Sequence, residues 1–360
     1  MTKQATIQKF KDFIAGIKPS DSVAVIHHTD ADGICAGFIV AEALERLGHK
    51  PVLVEKRSAR ALNSSLTKLL KQKEVSKTIS VDLALDQSPE AVEQISEFSD
   101  LVIIDHHPIR NKFQIKNVLL IKLEQLGLTK YTPASRLAYD LFSEIVDVSN
   151  IDWVAACGIV GDSGYPQNKQ FVDKVMKKYN IFPAADLFST DLGKAINLIN
   201  SAGAVTPDRI KQARRILKKA AHPRDILKSD LAKLATKLEK ERDKQIEYFK
   251  KNAEVHGDLM ICELKSKYKI KSAVITKLSY GEFQDKTLII LQRSKDSYNI
   301  SARRQDRRVS TNILLRKATE GLKGANAGGH IPASGGMFRA EDLDIFKKRL
   351  IKIHESMVAA

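Results

Sequence analysis

The chain has 360 residues, of which 43% are hydrophobic, and a formal net charge of +16. That length suits two domains with real cores, and the composition excludes collagen-like, low-complexity and disulfide-scaffold classes. No apolar run approaches the roughly 18 residues that span a bilayer. The opening MTKQATIQKFKDFIAGIK has the pattern of an amphipathic helix and not of a secretion signal, so no membrane is expected as a partner. Cys35, Cys157 and Cys262 are far apart, in apolar settings and without metal-finger spacing. They read as reduced, buried thiols and point to an intracellular, cytoplasmic setting.

Charge is one-sided. Residues 1–190 carry 23 Lys and Arg against 23 Asp and Glu, whereas residues 191–360 carry 36 against 20. An excess confined to one part of a chain suggests a polyanionic partner such as nucleic acid; solvated lysine-rich helices are the alternative.

In chain order, Val23–Ile26 reads as a strand, followed by a helix over Gly33–Leu47 with Ile34, Phe38, Ala41 and Leu44 at helical spacing. Further strands are predicted at Val52–Val54, Thr78–Leu83, Leu101–Ile104 and Val118–Ile121, with helices between several of them. This alternation predicts an α/β fold with a mostly parallel sheet, whose ligands bind at the carboxyl ends of the strands. From about residue 206 to 255 the sequence becomes long charged helix, broken near Pro223, and reads as a helical connector. Strands are then expected at Leu259–Glu263, Ala273–Leu278, Thr287–Leu291 and Tyr298–Ala302. A helix near Thr311–Gly321, a glycine-rich loop and a last helix from Glu341 complete a smaller second α/β domain.

Acidic residues and histidines gather where the strands stop. The first strand runs into His28-Thr29-Asp30-Ala31-Asp32-Gly33, the third ends in Asp82 and the fourth in Asp105-His106-His107, and Asp162 stands between glycines in CGIVGDSG. Singly, each has an ordinary explanation: a helix cap for Asp30 or Asp32, a turn for Asp162. Together they form a hard donor set suited to Mn²⁺, Mg²⁺ or Zn²⁺. Carboxylates so concentrated would repel one another unless cations neutralise them. Two ions about 3.5–4 Å apart, bridged by one carboxylate, suit phosphodiester hydrolysis.

These motifs resemble the DHH phosphoesterase superfamily, and within it the RecJ-like, archaeal-type branch with a DHH-associated C-terminal domain. Val81-Asp82, Asp105-His106-His107-Pro108 and Gly161-Asp162 match its second to fourth motifs. Asn197–Gly203 is similar to a segment that follows the catalytic core in RecJ enzymes, and Gly328-Gly329-His330-Ile331-Pro332-Ala333-Ser334-Gly335-Gly336 resembles the C-terminal motif. The resemblance implies a DHH catalytic domain over residues 1–190, a connector over 191–255 and a substrate-binding domain over 256–360, with a metal-lined cleft between the two domains.

The implied activity is that of an exonuclease using two Mn²⁺ or Mg²⁺ ions to release nucleoside 5′-monophosphates from single-stranded DNA or RNA. Asp82 would bridge the ions, Asp32, His106 and Asp162 would complete one site, and Asp30 would serve the other. Asp105 would orient the histidine pair and His107 would contact the scissile phosphate. Some members have a metal-binding His four residues before the first motif Asp, where this chain has Ile26. His28 fits the RecJ-like version and is either a ligand or a neighbour of the ions.

In the second domain, Arg303 in Ser301-Ala302-Arg303, together with Gly328, Gly329 and His330, would hold phosphate, with Arg304, Arg307 and Arg308 as a basic cluster or an extension of the site. Aromatics make up 6% of the chain, and Tyr298 and Phe338 are either stacking surfaces or core. Two rival functions follow from the same resemblance: a phosphodiesterase for nano-RNA or linear dinucleotides, and a non-catalytic scaffold in a replication complex. A replication or repair protein is a further expected partner.

Overall fold

The computed structural model describes residues 2–56, 64–109, 115–184, 186–203, 205 and 207–359. The chain divides into two compact units, one up to Ala235 and one from Thr236 onward. The stretch 191–255, expected as a separate connector, is therefore shared: most of it packs into the first unit as helices, because its apolar residues Leu192, Ile196, Ile199, Ile210 and Leu217 are buried there.

The first unit runs α1 (Lys3–Ala15), β1 (Ser22–His28), α2 (Ala31–Arg46), β2 (Val52–Lys56), α3 (Ser64–Gln72), β3 (Val75–Val81), α4 (Pro89–Ser96), β4 (Asp100–Ile104) and β5 (Val118–Ile121). It continues with α5 (Ala134–Ser143), α6 (Asp152–Gly161), α7 (Tyr165–Lys178), α8 (Asp191–Gly203), α9 (Pro207–Lys219) and α10 (Pro223–Leu227). Helix α11 (Asp230–Asn252) carries the chain across the division. The sheet order is β2-β1-β3-β4-β5 and every pairing is parallel.

Val23 to His27 are all buried, as expected of a strand covered by helices on both faces. Ala24 and Ile26 join a core with Leu66 and Leu70 of α3 and Val92 and Ile95 of α4. On the other face the His27 ring lies against α2, where a Cβ at Gly37 would come within 2.5 Å of it. Because the strands are parallel, their carboxyl ends share one edge. The sheet order reverses between β1 and β3, which makes the ends of those two strands the crevice where open α/β sheets bind ligands.

The second unit has β6 (Glu254–His256), β7 (Leu259–Glu263), α12 (Lys271–Tyr280), β8 (Thr287–Ser294), β9 (Ser297–Arg303), α13 (Thr311–Thr319), β10 (Asn326–Gly329), β11 (Ala333–Arg339) and α14 (Leu343–Ala359). Its mixed sheet has the order β10-β11-β9-β8-β7-β6, with only β7 and β8 parallel.

Two expectations are corrected here. Ala273–Leu278 is helical, not a strand: Val274, Ile275 and Leu278 fall on one buried helical face, and this periodicity outweighs the β-branched composition. The glycine-rich segment is a hairpin, not a loop; Gly328 pairs with Gly335 and Gly329 with Ser334. Tyr298 and Phe338 stack at 5.6 Å and are buried, so they belong to the core with Phe346. Among the described residues, no helix is long and apolar enough to cross a membrane.

Candidate metal centre

The residues at the carboxyl edge of the first sheet converge. After β1 the chain turns at Asp30, the N-cap of α2, whose Oδ1 accepts from Gly33 N at 2.9 Å. The other Asp30 oxygen lies 2.8 Å from His28 Nδ1, and the same nitrogen is 3.8 Å from Asp82 Oδ2. Asp82 follows β3 with φ 57°, a left-handed conformation that Asp tolerates better than most side-bearing residues. Its carboxylate is buried and its Oδ1 lies 3.1 Å from His106 Nε2. The other His106 nitrogen, Nδ1, is 3.6 Å from Asp162 Oδ2 and has no hydrogen-bond partner among the described residues.

Asp32 sits in the first turn of α2 and is buried. Its Oδ2 accepts from Ala134 N at 2.7 Å and its Oδ1 from Ser135 N at 3.1 Å, so it also caps the N-terminus of α5. Close packing makes room for this arrangement. A Cβ at Gly158 would lie 2.2 Å from Ser135 Oγ and 2.6 Å from Asp32 Oδ1. One at Gly203, the end of α8, would lie 2.0 Å from the Thr29 carbonyl oxygen. That contact gives a structural reason for the glycine ending Asn197–Gly203.

The potential ligand atoms fall into overlapping groups, within each of which they lie inside 4.8 Å of one another: His28, Asp30 and Asp82; Asp32, His106 and Asp162; and Asp82, Asp105, His106 and His107. The electrostatics are those of an acidic cluster held together by the fold. Burial, then the charges of Asp30 and Asp32, push the Asp82 carboxyl well above its usual range. Burial and the neighbouring Asp162 raise Asp32 to about 7. Desolvation opposes ionisation of Asp30, but the His28 contact and the Gly33 amide outweigh it and hold Asp30 at about 2. Burial and the adjacent His107 lower His106, leaving a neutral imidazole with a free lone pair. Buried carboxylates that raise one another's pKa, beside an unpartnered imidazole nitrogen, fit divalent cations.

Sequence reasoning missed several supporting residues. Lys122, the residue after β5, is fully buried; its Nζ lies 2.7 Å from Asp86 Oδ1 and 2.8 Å from both Asp105 Oδ2 and the His107 carbonyl oxygen. Asp105 Oδ1 in turn receives His107 Nδ1 at 2.8 Å, and this bond raises the pKa of His107. Applying the strand-end argument to β5 as well would have found Lys122. The Tyr131 hydroxyl donates to Asp162 Oδ2 and its ring meets His106 edge-on; nothing in its sequence setting marks it.

The remaining expected residues lie in the second unit. Arg303, at the end of β9, donates to its neighbour Ala302's carbonyl at 2.9 Å and makes no ion pair among the described residues. Lys271 Nζ binds Ile300 O at 3.1 Å and Ser301 Oγ at 2.9 Å; burial and the nearby Arg303 charge lower it to about 8. Gly328 and Gly329 are in the hairpin ladder and His330 is exposed at its tip. Gly329 has φ +133°, and a Cβ there would meet the Ala333 carbonyl at 2.6 Å. Arg304 does not extend a basic surface: it is buried and paired with Asp306 at 2.7 Å and Asp258 at 3.6 Å.

A model of the DHH family, N-terminal domain, matches residues 22–161. These residues are a DHH-family domain. The match contains the turn after β1, Asp82, the Asp105-His106-His107 run and α6 up to the residue before Asp162. Solved structures share the fold of the whole chain, which is RecJ-like. Exonuclease RecJ bound to manganese matches with a TM-score of 0.73 at 14% identity, covering 98% of this chain and 94% of that one. RecJ in complex with Mn²⁺ from Thermus thermophilus gives 0.72 at 14% identity over 98% of this chain, which spans 54% of that protein's length. CDC45 from Entamoeba histolytica gives 0.63 at 12% identity, with 100% of both chains covered. Identities this low show the fold alone. A search of curated proteins found no match to the sequence.

Proposed function

We propose that the chain is a divalent-metal-dependent phosphodiesterase that removes nucleoside 5′-monophosphates from single-stranded DNA or RNA. The observation that carries this reading is the convergence of His28, Asp30, Asp32, Asp82, His106 and Asp162 at the sheet's switch point, where burial and neighbouring carboxylates raise Asp32 and Asp82. Asp82, shared between groups containing His28 and His106, is suited to bridge two ions. His28 and Asp30 lie on one side of it, and Asp32, His106 and Asp162 form the other set. Mn²⁺ is the favoured ion, supported by the manganese named for two RecJ structures of the same fold.

When bound, a pair of such ions polarises the phosphodiester and lowers the pKa of an attacking water. The chain's own residues set the rest. Lys122 fixes Asp105, Asp105 accepts a hydrogen bond from His107 Nδ1–H, and this favours a protonated His107 whose Nε2–H can donate to a phosphate oxygen. The α5 amides hold the Asp32 carboxylate in one orientation. In the second unit, Arg303 and the nearby Lys271 are cations with no carboxylate partner among the described residues and are the proposed phosphate grip, with His330 at the hairpin tip and the backbone of Gly328 and Gly329. The charge surplus of residues 191–360 favours a polymer over a dinucleotide, with binding that weakens as salt rises.

The test is digestion of single-stranded DNA and RNA, labelled at either end, with and without Mn²⁺, by the wild-type chain and Asp82→Asn. Asparagine tolerates the left-handed backbone at this position and removes only the charge. Metal-dependent release of mononucleotides that Asp82→Asn abolishes is the expected result. No hydrolysis of any strand by the wild type with Mn²⁺ refutes the assignment.

A further inference from the structure

Helix α9 lies outside the residues matched to the DHH family, yet it reaches the first motif through a buried chain of polar contacts. Arg214 NH1 is 2.9 Å from His27 Nε2 and 2.7 Å from Glu55 Oε1 on β2. His27 Nδ1 is 2.7 Å from the His28 carbonyl oxygen, and the whole His27 side chain is buried. A guanidinium only donates, so His27 Nε2 is the acceptor and the ring's proton is on Nδ1. One Arg214 nitrogen thereby fixes three things: the tautomer of His27, a donor aimed at the His28 carbonyl, and the link to Glu55. The ring has no freedom to turn, because Gly37 leaves just enough space for it on α2.

The His28 carbonyl belongs to the residue whose own imidazole stands 2.8 Å from Asp30 and 3.8 Å from Asp82. The next carbonyl, that of Thr29, is in contact with Gly203 at the end of α8. The turn carrying the first ligands is thus clamped at consecutive peptides by α8 and α9.

We infer that Arg214 is a positioning residue for the metal centre, acting through the His27 tautomer to fix the His28 peptide and so the placement of His28 and Asp30. The inference rests on the metal reading proposed above. A partner that orients a metal ligand commonly matters 10–100-fold in metal affinity. Arg214→Met keeps most of the side-chain volume and removes every donor. His27→Gln offers Arg214 an amide oxygen as acceptor but has no N–H at the Nδ1 position that faces the His28 carbonyl.

The experiment measures Mn²⁺ binding calorimetrically on the full chain and its variants, with metal-free melting as a check of folding, and the ¹⁵N NMR signature of His27. The expected results are an Nδ1–H tautomer in the wild type and at least tenfold weaker Mn²⁺ binding in whichever of Arg214→Met and His27→Gln folds. Both variants should approach wild-type kcat once Mn²⁺ is raised to saturation. Mn²⁺ binding within threefold of wild type in a folded variant overturns the inference, as does an Nε2–H or doubly protonated His27. Failure of the wild type itself to bind Mn²⁺ refutes the metal reading, a result separate from either of these.

Discussion

Lys122→Met is the sharpest probe of how the first unit holds its acidic edge together. Lys122 is fully buried between Asp86 and Asp105; its ammonium nitrogen lies within 2.8 Å of a carboxylate oxygen of each and donates to the His107 carbonyl. Methionine preserves the unbranched shape and removes the cation. Asp86 and Asp105 then lose the cation that lies between them, and removing one partner of a buried ion pair costs about 3–5 kcal/mol. For a folding unit of this size about 2–4 °C of Tm accompanies each kcal/mol, so the melting temperature should fall by roughly 6–20 °C.

Trp153, the chain's one tryptophan, is buried in this unit and reports its unfolding by fluorescence during urea or thermal titration. The pH dependence has a definite sign. In the wild type, burial works against ionisation of Asp105, but the bonds from His107 and Lys122 hold it at about 2. Its contribution is therefore present above the unfolded value of about 3.9 and is lost as pH falls toward 2. In Lys122→Met the Asp105 carboxyl loses one of the two cationic contacts that favour its ionised form, so the variant's deficit should shrink as pH falls. Adding Asp86→Asn should recover part of the loss. A destabilisation under about 1 kcal/mol, well short of the buried-pair range, or strict additivity of the two substitutions, would refute the reasoning.

Other outcomes follow from the same packing and charge. Gly158→Ala places a Cβ 2.6 Å from Asp32 Oδ1 and 2.2 Å from Ser135 Oγ. It should weaken Mn²⁺ binding at least ~10-fold by calorimetry while costing about 1–3 kcal/mol in urea unfolding. In the second unit, burial and the nearby Arg304 charge lower His354 to about 4, and the ring bonds Thr287 Oγ1 at 2.9 Å. Its folded pKa lies below the unfolded value of about 6.5, so protection of β8 and β9 amides from hydrogen exchange should be full above that pH. It should fall by roughly 2 kcal/mol, after allowance for solvent screening, as pH drops toward 4, a loss that His354→Gln removes.

The parallel sheet and its acidic edge were legible because strand ends are marked in sequence by a change from β-branched residues to Asp and His. That signal placed His28, Asp30, Asp82, Asp105 and His106 on one edge, where the structure also brings them. It could not show the second use of Asp32 as the cap of α5, since the Ala134 and Ser135 amides carry no side-chain signature. Lys122 also follows a strand but is neither Asp nor His, and the sequence does not reveal that both its acidic partners are buried. In the second unit, composition misled twice. Val274 and Ile275 suggested a strand where their spacing with Leu278 makes a helix, and the glycines around His330 suggested a loop where they permit two strands to approach closely. Arg304 looked like surface because the sequence shows neither its burial nor its contact with the distant Asp258, although its closer partner Asp306 is only two residues away.

Asp32 spends both its oxygens on the first amides of another helix, and this bears on how an inactive version of the chain should be made. Replacing it would disturb the seating of α5 together with the chemistry, so lost turnover could not be told apart from a loosened scaffold. Asp162 ends α6, is partly open to solvent and takes its hydrogen bond from a tyrosine hydroxyl. Neutralising that position is the cleaner way to remove the proposed activity while sparing the architecture.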